Sequence, residues 1–185
     1  MPFYTIIAGV NGVGKSSFSG IMKTERSDLG YVVDVDKLRQ EDNSAPIAAG
    51  KTAIEKINVF LSKGISFAQE TTLSGHRTER TAKSAKEKGY IVRMYYIGLS
   101  TADESIKRIQ NRVDKGGHHI APADVERRHN KRFRDLMKIL PYCDEARFFD
   151  NENGFIEVAE YRNGEIIPKG GYRPPWLIEL LDAYR

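Results

Sequence analysis

The stretch from Ala8 to Phe18, "AGVNGVGKSSF", constrains this chain more than any other, because it follows the apolar run "FYTIIAG" of residues 3 to 9. Gly9, four intervening residues and Gly14-Lys15-Ser16 complete a phosphate-loop pattern, in the strand-then-helix setting that the pattern needs. Gly9, Asn11, Gly12, Val13, Gly14, Lys15, Ser16 and Ser17 then form a cradle for polyphosphate. Its backbone N–H groups can curl round the anion where glycine carries no Cβ, and the following helix turns its N-terminus toward the charge. Lys15 supplies a point charge to the β- and γ-phosphates, and the Ser16 hydroxyl is placed to bind Mg²⁺. No Asn-Lys-x-Asp motif for guanine occurs, and 185 residues are few for a motor ATPase. The expectation is a small-molecule kinase using ATP and Mg²⁺, in which an acceptor hydroxyl faces the γ-phosphate and a carboxylate takes its proton.

Such a loop needs a parallel sheet beneath it. Further strand-like runs are "YVVDVD" (31–36), "ISFAQETT" (65–72), "YIVRMYYIGL" (90–99) and "ARFFD" (146–150). The segments between them have helical spacing: Ile54, Ile57, Phe60 and Leu61 form an apolar stripe within 45–63, and "HRTERTAKSAKEKG" reads as a solvated helix ending at Gly89. This alternation predicts an α/β, three-layer fold with a mostly parallel sheet. "FIEVAEYRNGEII" alternates about Asn163-Gly164 and predicts a C-terminal antiparallel hairpin, after which "PPWLIELLDAYR" reads as a closing helix. With no Pro/Gly/Ser linker and no repeat, residues 1–185 are expected to form one domain.

In a parallel sheet of this kind, ligands sit beyond the carboxyl ends of the strands. The second run ends in Asp34 and Asp36, with Arg39 just beyond, and Asp36 is the expected general base. Asp34 can line the same pocket or cap a helix starting near Lys37. The third run ends in Glu70, Thr71 and Thr72, where Glu70 can bind acceptor hydroxyls or reach Mg²⁺ through water and the threonines offer hydroxyl donors. Gln69 alternates with Glu70 and falls on the opposite face of that strand.

The net charge is +4, and the excess of Lys and Arg lies between Ile106 and Arg134. "SIKRIQNRVDKGGHHIAPADVERRHNKRF" reads as two helical arms about a Gly-Gly-His-His turn, with Arg108 and Arg112 sharing one face and Arg128 and Arg132 another. Two arginine faces across a glycine hinge describe a lid, over about 105–134, that closes on a triphosphate. Nucleic acid is the weaker reading, since Phe133 is the one aromatic residue in the segment for bases to stack on. The single cysteine, Cys143, excludes an internal disulfide, no apolar run approaches membrane-spanning length, and no signal-peptide core stands at the N-terminus. These features point to a cytoplasmic protein with no membrane contact.

The blocks "GVNGVGKSS", "VDVDKLR", "FAQETTLSG", the "GY…MYYIGL" strand, "RVDKGGH" and "RRHNKRF", in that order and spacing, resemble the zeta-toxin family of small P-loop kinases in its short, free-standing branch. The resemblance runs from about residue 3 to Asn151. It implies a kinase core related to chloramphenicol phosphotransferase, and ATP-dependent phosphorylation of UDP-N-acetylglucosamine at a sugar hydroxyl. By that resemblance Lys15 and Ser16 hold ATP and Mg²⁺, Asp36 is the base, Glu70 and Thr72 bind the acceptor, and Arg112 and Arg128 grip the transferred phosphate. The long members carry a larger C-terminal region than this chain has. "GGHHIAP" belongs to the short branch, whose acceptor the resemblance leaves open. Members of the family are usually held by a small antitoxin protein, which makes an antitoxin a candidate partner.

Overall fold

The fold is described here from a computed structural model, for residues 1–35, 38, 46–117 and 119–185. Asp36, Arg39 and His118 lie outside the described residues. Seven strands form one sheet: β1 (Phe3–Ala8), β2 (Tyr31–Val33), β3 (Phe67–Thr71), β4 (Ile91–Gly98), β5 (Glu145–Asp150), β6 (Ile156–Arg162) and β7 (Glu165–Pro168), in the order β2-β3-β1-β4-β5-β6-β7. The described helices are α1 (Lys15–Glu25), α2 (Pro46–Lys63), α3 (Arg77–Glu87), α4 (Ala102–Val113), α5 (Pro122–Met137) and α6 (Pro175–Tyr184). β1 to β5 run parallel, whereas β6 and β7 add antiparallel at one edge. The expected α/β architecture and its terminal hairpin are both present. Asn163 (φ 53°) and Gly164 (φ 82°) form the hairpin turn, and positive φ at both is the geometry that matches the twist of the strands.

β1 and β4 are near-continuous apolar runs because helices cover both sheet faces. Alternate residues divide between two cores. Tyr4, Ile6, Ala8, Val92, Met94 and Tyr96 meet α2, α3, α5 and α6, while Ile7, Tyr95 and Ile97 meet Phe18 of α1. Phe18 packs against the rings of Tyr95, Phe149 and Phe155. Burying that side chain contributes about 2 kcal/mol and fixes the helix that carries Lys15 and Ser16. β2 is shorter than expected and stops at Val33, since the Asp34 carbonyl already accepts from the Leu38 N–H at 3.0 Å in a helical turn.

β1 is flanked by β3 on one side and β4 on the other, so the chain reverses its winding at the loop that follows β1. Ile7 is in register with Glu70 and with Tyr95, which brings the carboxyl ends of these three strands level. At such a switch point the polar residues of neighbouring strand ends converge.

Candidate active site

The phosphate loop is wedged between two parts of the molecule. Gly14 adopts a left-handed conformation (φ 95°), and a Cβ there would come 2.6 Å from Asn151 Nδ2. Gly12 (φ 81°) abuts α4, so that its Cβ would fall 2.5 Å from the Ser105 carbonyl oxygen. Both positions accept glycine alone without moving a neighbour. Asn151 Nδ2 donates to the Val13 carbonyl at 2.8 Å, tying the loop to the end of β5. Lys15 Nζ donates to the carbonyls of Gly9 (3.0 Å) and Val10 (2.9 Å), within the curl of its own loop.

Ser16 Oγ donates to Glu70 Oε2 at 2.8 Å, and Ser19 Oγ donates to Glu70 Oε1 at 2.5 Å. The carboxylate at the tip of β3 therefore backs the hydroxyl that the loop pattern reserves for a cation. An all-oxygen set of one hydroxyl and one nearby carboxylate suits Mg²⁺, which keeps several waters and takes its other ligands from phosphate. Among the described residues no group of three His, Cys, Asp or Glu side chains could hold a metal without such help. Gln69, on the other face of β3, accepts from the buried Tyr4 hydroxyl at 2.6 Å, and burial raises the Tyr4 pKa well above its usual value.

The two arms of the expected lid are α4 and α5. Thr101 caps α4 by accepting from the Glu104 N–H at 3.2 Å. Arg108 Nε donates to Glu104 at 2.9 Å and its Nη2 to the Glu152 carbonyl at 3.3 Å. Arg128 Nη1 reaches the phosphate loop itself, donating to Asn11 Oδ1 at 2.5 Å. Arg132 does not share that orientation. It is buried, stacks on Phe133 with 4.2 Å from guanidinium carbon to ring centroid, and pairs with Glu179 of α6. Arg128 and Arg132 therefore do not face the cleft together, because α6 covers the turn that carries Arg132. Arg132 Nη1 also donates to His129 Nδ1 at 3.0 Å, which places the neutral ring's proton on Nε2. Burial first, and the Arg132 charge second, hold the His129 pKa below its ordinary value.

These elements enclose one cleft of about 1140 Å³, in which Asn11, Gly12, Gly14, Lys15, Ser16, Ser17, Asp34, Glu70, Thr72, Arg108, Arg112 and Arg128 all line the wall. Gly9 and Val13 stand behind it in the buried part of the loop. The segment after β5 escaped the sequence reading. Asn151 holds Val13, the Glu152 carboxylate accepts from the Ser100 N–H at 2.9 Å, and the buried Asp150 accepts from Trp176 Nε1 at 2.8 Å and from the Tyr172 hydroxyl at 3.3 Å. The available signal was position, since "DNENG" directly follows an apolar strand of a parallel sheet.

Sheet order and loop match the fold of solved P-loop kinase-like structures. The chain is similar to one from the PezAT chromosomal toxin–antitoxin system of Streptococcus pneumoniae, with a TM-score of 0.63 and 18% identity over 100% of this chain and 84% of that one. It is also similar to a chain of the AvrRxo1-ORF1:-ORF2 complex with ATP, with a TM-score of 0.68 and 16% identity, covering 100% of this chain and 63% of that one. No protein-family model matches the chain. In sequence it is 34% identical over 126 residues to an uncharacterized protein of Haemophilus influenzae (strain Rd), a match covering 65% of this chain and 88% of that protein. The chain belongs to the same family as that Haemophilus protein. No described helix is long and apolar enough to cross a membrane.

Proposed function

We propose that this protein is a phosphotransferase that moves the γ-phosphate of Mg·ATP to a hydroxyl of a small acceptor. One observation carries the reading: the loop that matches a phosphate cradle, the Ser16–Glu70 pair and the lid arginines open on one cleft. Lys15 and the backbone of residues 9–17 bind the donor's phosphates, and Arg112 and Arg128 stabilise the charge that spreads over the transferred group. Mg²⁺, held at Ser16 with Glu70 behind it, supplies charge neutralisation. The carboxylate of Asp36 accepts the proton of the acceptor hydroxyl, and Thr72 and Arg39 bind the acceptor.

UDP-N-acetylglucosamine is the leading acceptor, on the resemblance of the "FAQETTLSG" and "RVDKGGH" blocks to the zeta-toxin family. That resemblance also makes an antitoxin protein the partner to seek, and the cytoplasm the expected location. Two solved structures of similar fold support the nucleotide and the partner, since one is an AvrRxo1-ORF1:-ORF2 complex with ATP and the other comes from a toxin–antitoxin system.

The test is Asp36→Asn. The variant should bind Mg·ATP within about threefold of wild type and lose transfer by about a hundredfold or more, the usual worth of a general base. Near-normal transfer would remove Asp36 from the base role. Loss of ATP binding would make it a nucleotide ligand instead.

A further inference from the structure

Three consecutive residues at the end of β5 reach three different parts of the molecule. Asp150 is buried and accepts from Trp176 Nε1 of α6, from the Tyr172 hydroxyl and, at 3.1 Å, from the Glu152 N–H. Asn151 donates from Nδ2 to the Val13 carbonyl of the phosphate loop at 2.8 Å, and from its backbone N–H to the Gly98 carbonyl of β4 at 3.2 Å. The Glu152 carboxylate accepts from the Ser100 N–H just ahead of α4, and the Glu152 carbonyl accepts from Arg108 on that helix. Phe155 then packs edge-on against Phe18 of α1, with 5.1 Å between ring centroids. One short segment therefore holds the phosphate loop, the helix that follows it and one arm of the lid.

The contact with Val13 bears on the phosphate cradle through a single peptide unit. That unit is trans, so its C=O and N–H point in opposite directions. The Val13 carbonyl points at Asn151, which stands outside the cleft lining; the Gly14 N–H, in the same unit, points away from Asn151 on the residue that does line the cleft. Glycine tolerates φ of either sign, so Gly14 by itself leaves the unit free to turn over. The Asn151 bond selects the orientation that offers the N–H to an anion, and a donor aimed beforehand costs no reorganisation when the anion arrives. Glu152 does the corresponding work for α4, whose Arg108 and Arg112 also line the cleft.

We infer that Asn151 and Glu152 are positioning residues for phosphoryl transfer: Asn151 aims the Gly14 N–H at the donor's phosphates, and Glu152 fixes the lid arm α4 relative to the phosphate loop. Each acts through the backbone of another segment. The word transfer rests on the phosphotransferase reading; the aiming of Gly14 and the anchoring of α4 stand on the hydrogen bonds.

Calorimetric titration with Mg²⁺ and the non-hydrolysable nucleotide AMP-PNP tests the first role, with tripolyphosphate as a probe that carries no base. Asn151→Leu keeps the bulk of the side chain and removes its donor, and should bind both probes at least about tenfold more weakly than wild type. Asn151→Ala, which adds no new contact, should show the same loss. Equal affinity in wild type and variants, no binding by wild type, or a loss that tripolyphosphate does not share overturns the role of Asn151. Hydrogen exchange in the AMP-PNP complex tests the second role. In Glu152→Ala the Ser100 amide and the first turn of α4 should exchange at least about tenfold faster, and Glu152→Gln, which keeps an acceptor oxygen, should recover most of the protection. Unchanged exchange in Glu152→Ala overturns the anchoring of α4. Transfer to UDP-N-acetylglucosamine separates these roles from the kinase reading. Donor-dependent probe binding and Glu152-dependent protection without product from wild type leave the positioning of loop and arm and remove the kinase. Product formed by Asn151→Leu and Glu152→Ala at wild-type kcat and KM leaves the kinase and removes the positioning roles.

Discussion

Replacing Gly98 by alanine should destabilise the protein through one identifiable contact. Gly98 ends β4, and a Cβ placed on it would lie 2.3, 2.5 and 2.6 Å from Cε2, Cδ2 and Cζ2 of Trp176. Ordinary carbon–carbon contact is about 3.5 to 4 Å, so the overlap exceeds about 1 Å on a rigid ring. The ring has no room to yield, because Trp176 is 1% exposed and its Nε1 is held by Asp150. Overpacking of this kind costs about 1–3 kcal/mol. Taking about 2.5 kcal/mol, Tm should fall by roughly 5–10 °C for a chain of this size.

Trp176→Leu removes the ring and leaves Asp150 one donor short, and should itself cost about 2–4 kcal/mol. In that background Gly98→Ala should cost less than about 1 kcal/mol, so the double variant should be more stable than the sum of the singles by at least about 1.5 kcal/mol. Urea unfolding of the four proteins measures the cycle. Additivity within about 0.5 kcal/mol would refute the contact. ATP affinity should fall with stability in Gly98→Ala, since Asn151, whose N–H bonds the Gly98 carbonyl at 3.2 Å, also holds Val13 of the phosphate loop.

Three other outcomes follow from the same geometry. Glu70→Ala strips the acceptor from the Ser16 and Ser19 hydroxyls, and a Mg²⁺ titration of transfer should show about a 10- to 100-fold loss with little change in Tm. Asp28→Asn should cost about 3 kcal/mol in urea, because it leaves the 1%-exposed Arg93 without its charge partner. The Arg26 hydrogen bond first, and Arg93 after it, hold the Asp28 carboxyl well below its usual range, so the wild-type contribution is present above about pH 4 and fades as pH falls below it. His129 has a folded pKa below its ordinary 6.5, so it favours the fold fully above that pH and loses this contribution as pH drops below 6.5. His129→Phe should flatten the fall in Tm between pH 6.5 and 5.

Much of the scaffold was legible because local chemistry and global packing agree. The apolar run before Gly9, the period-two alternation about Asn163-Gly164 and the helical arms on either side of Gly116-Gly117 each specify an element without help from distant residues. The roles of individual polar residues were less legible, since a charge on a helix reads alike whether it faces solvent, a cleft or a neighbouring helix. Arg128 and Arg132 are four residues apart, yet one contacts Asn11 and the other is buried under α6. Asn151 and Asp150 have no motif at all, and their importance arises from the parallel register of β4 and β5. Glu70 was found by its place at a strand end, but its partners Ser16 and Ser19 follow only from the packing of α1 against β3.

Mass spectrometry of a reaction containing the purified protein, Mg·ATP and UDP-N-acetylglucosamine, with Lys15→Ala in parallel, tests the central claim most directly. The account predicts one added phosphoryl group on the sugar nucleotide with wild type and none with Lys15→Ala. Product formation that persists in Lys15→Ala would contradict the role of the phosphate loop, and the absence of any product with wild type would contradict the proposed acceptor.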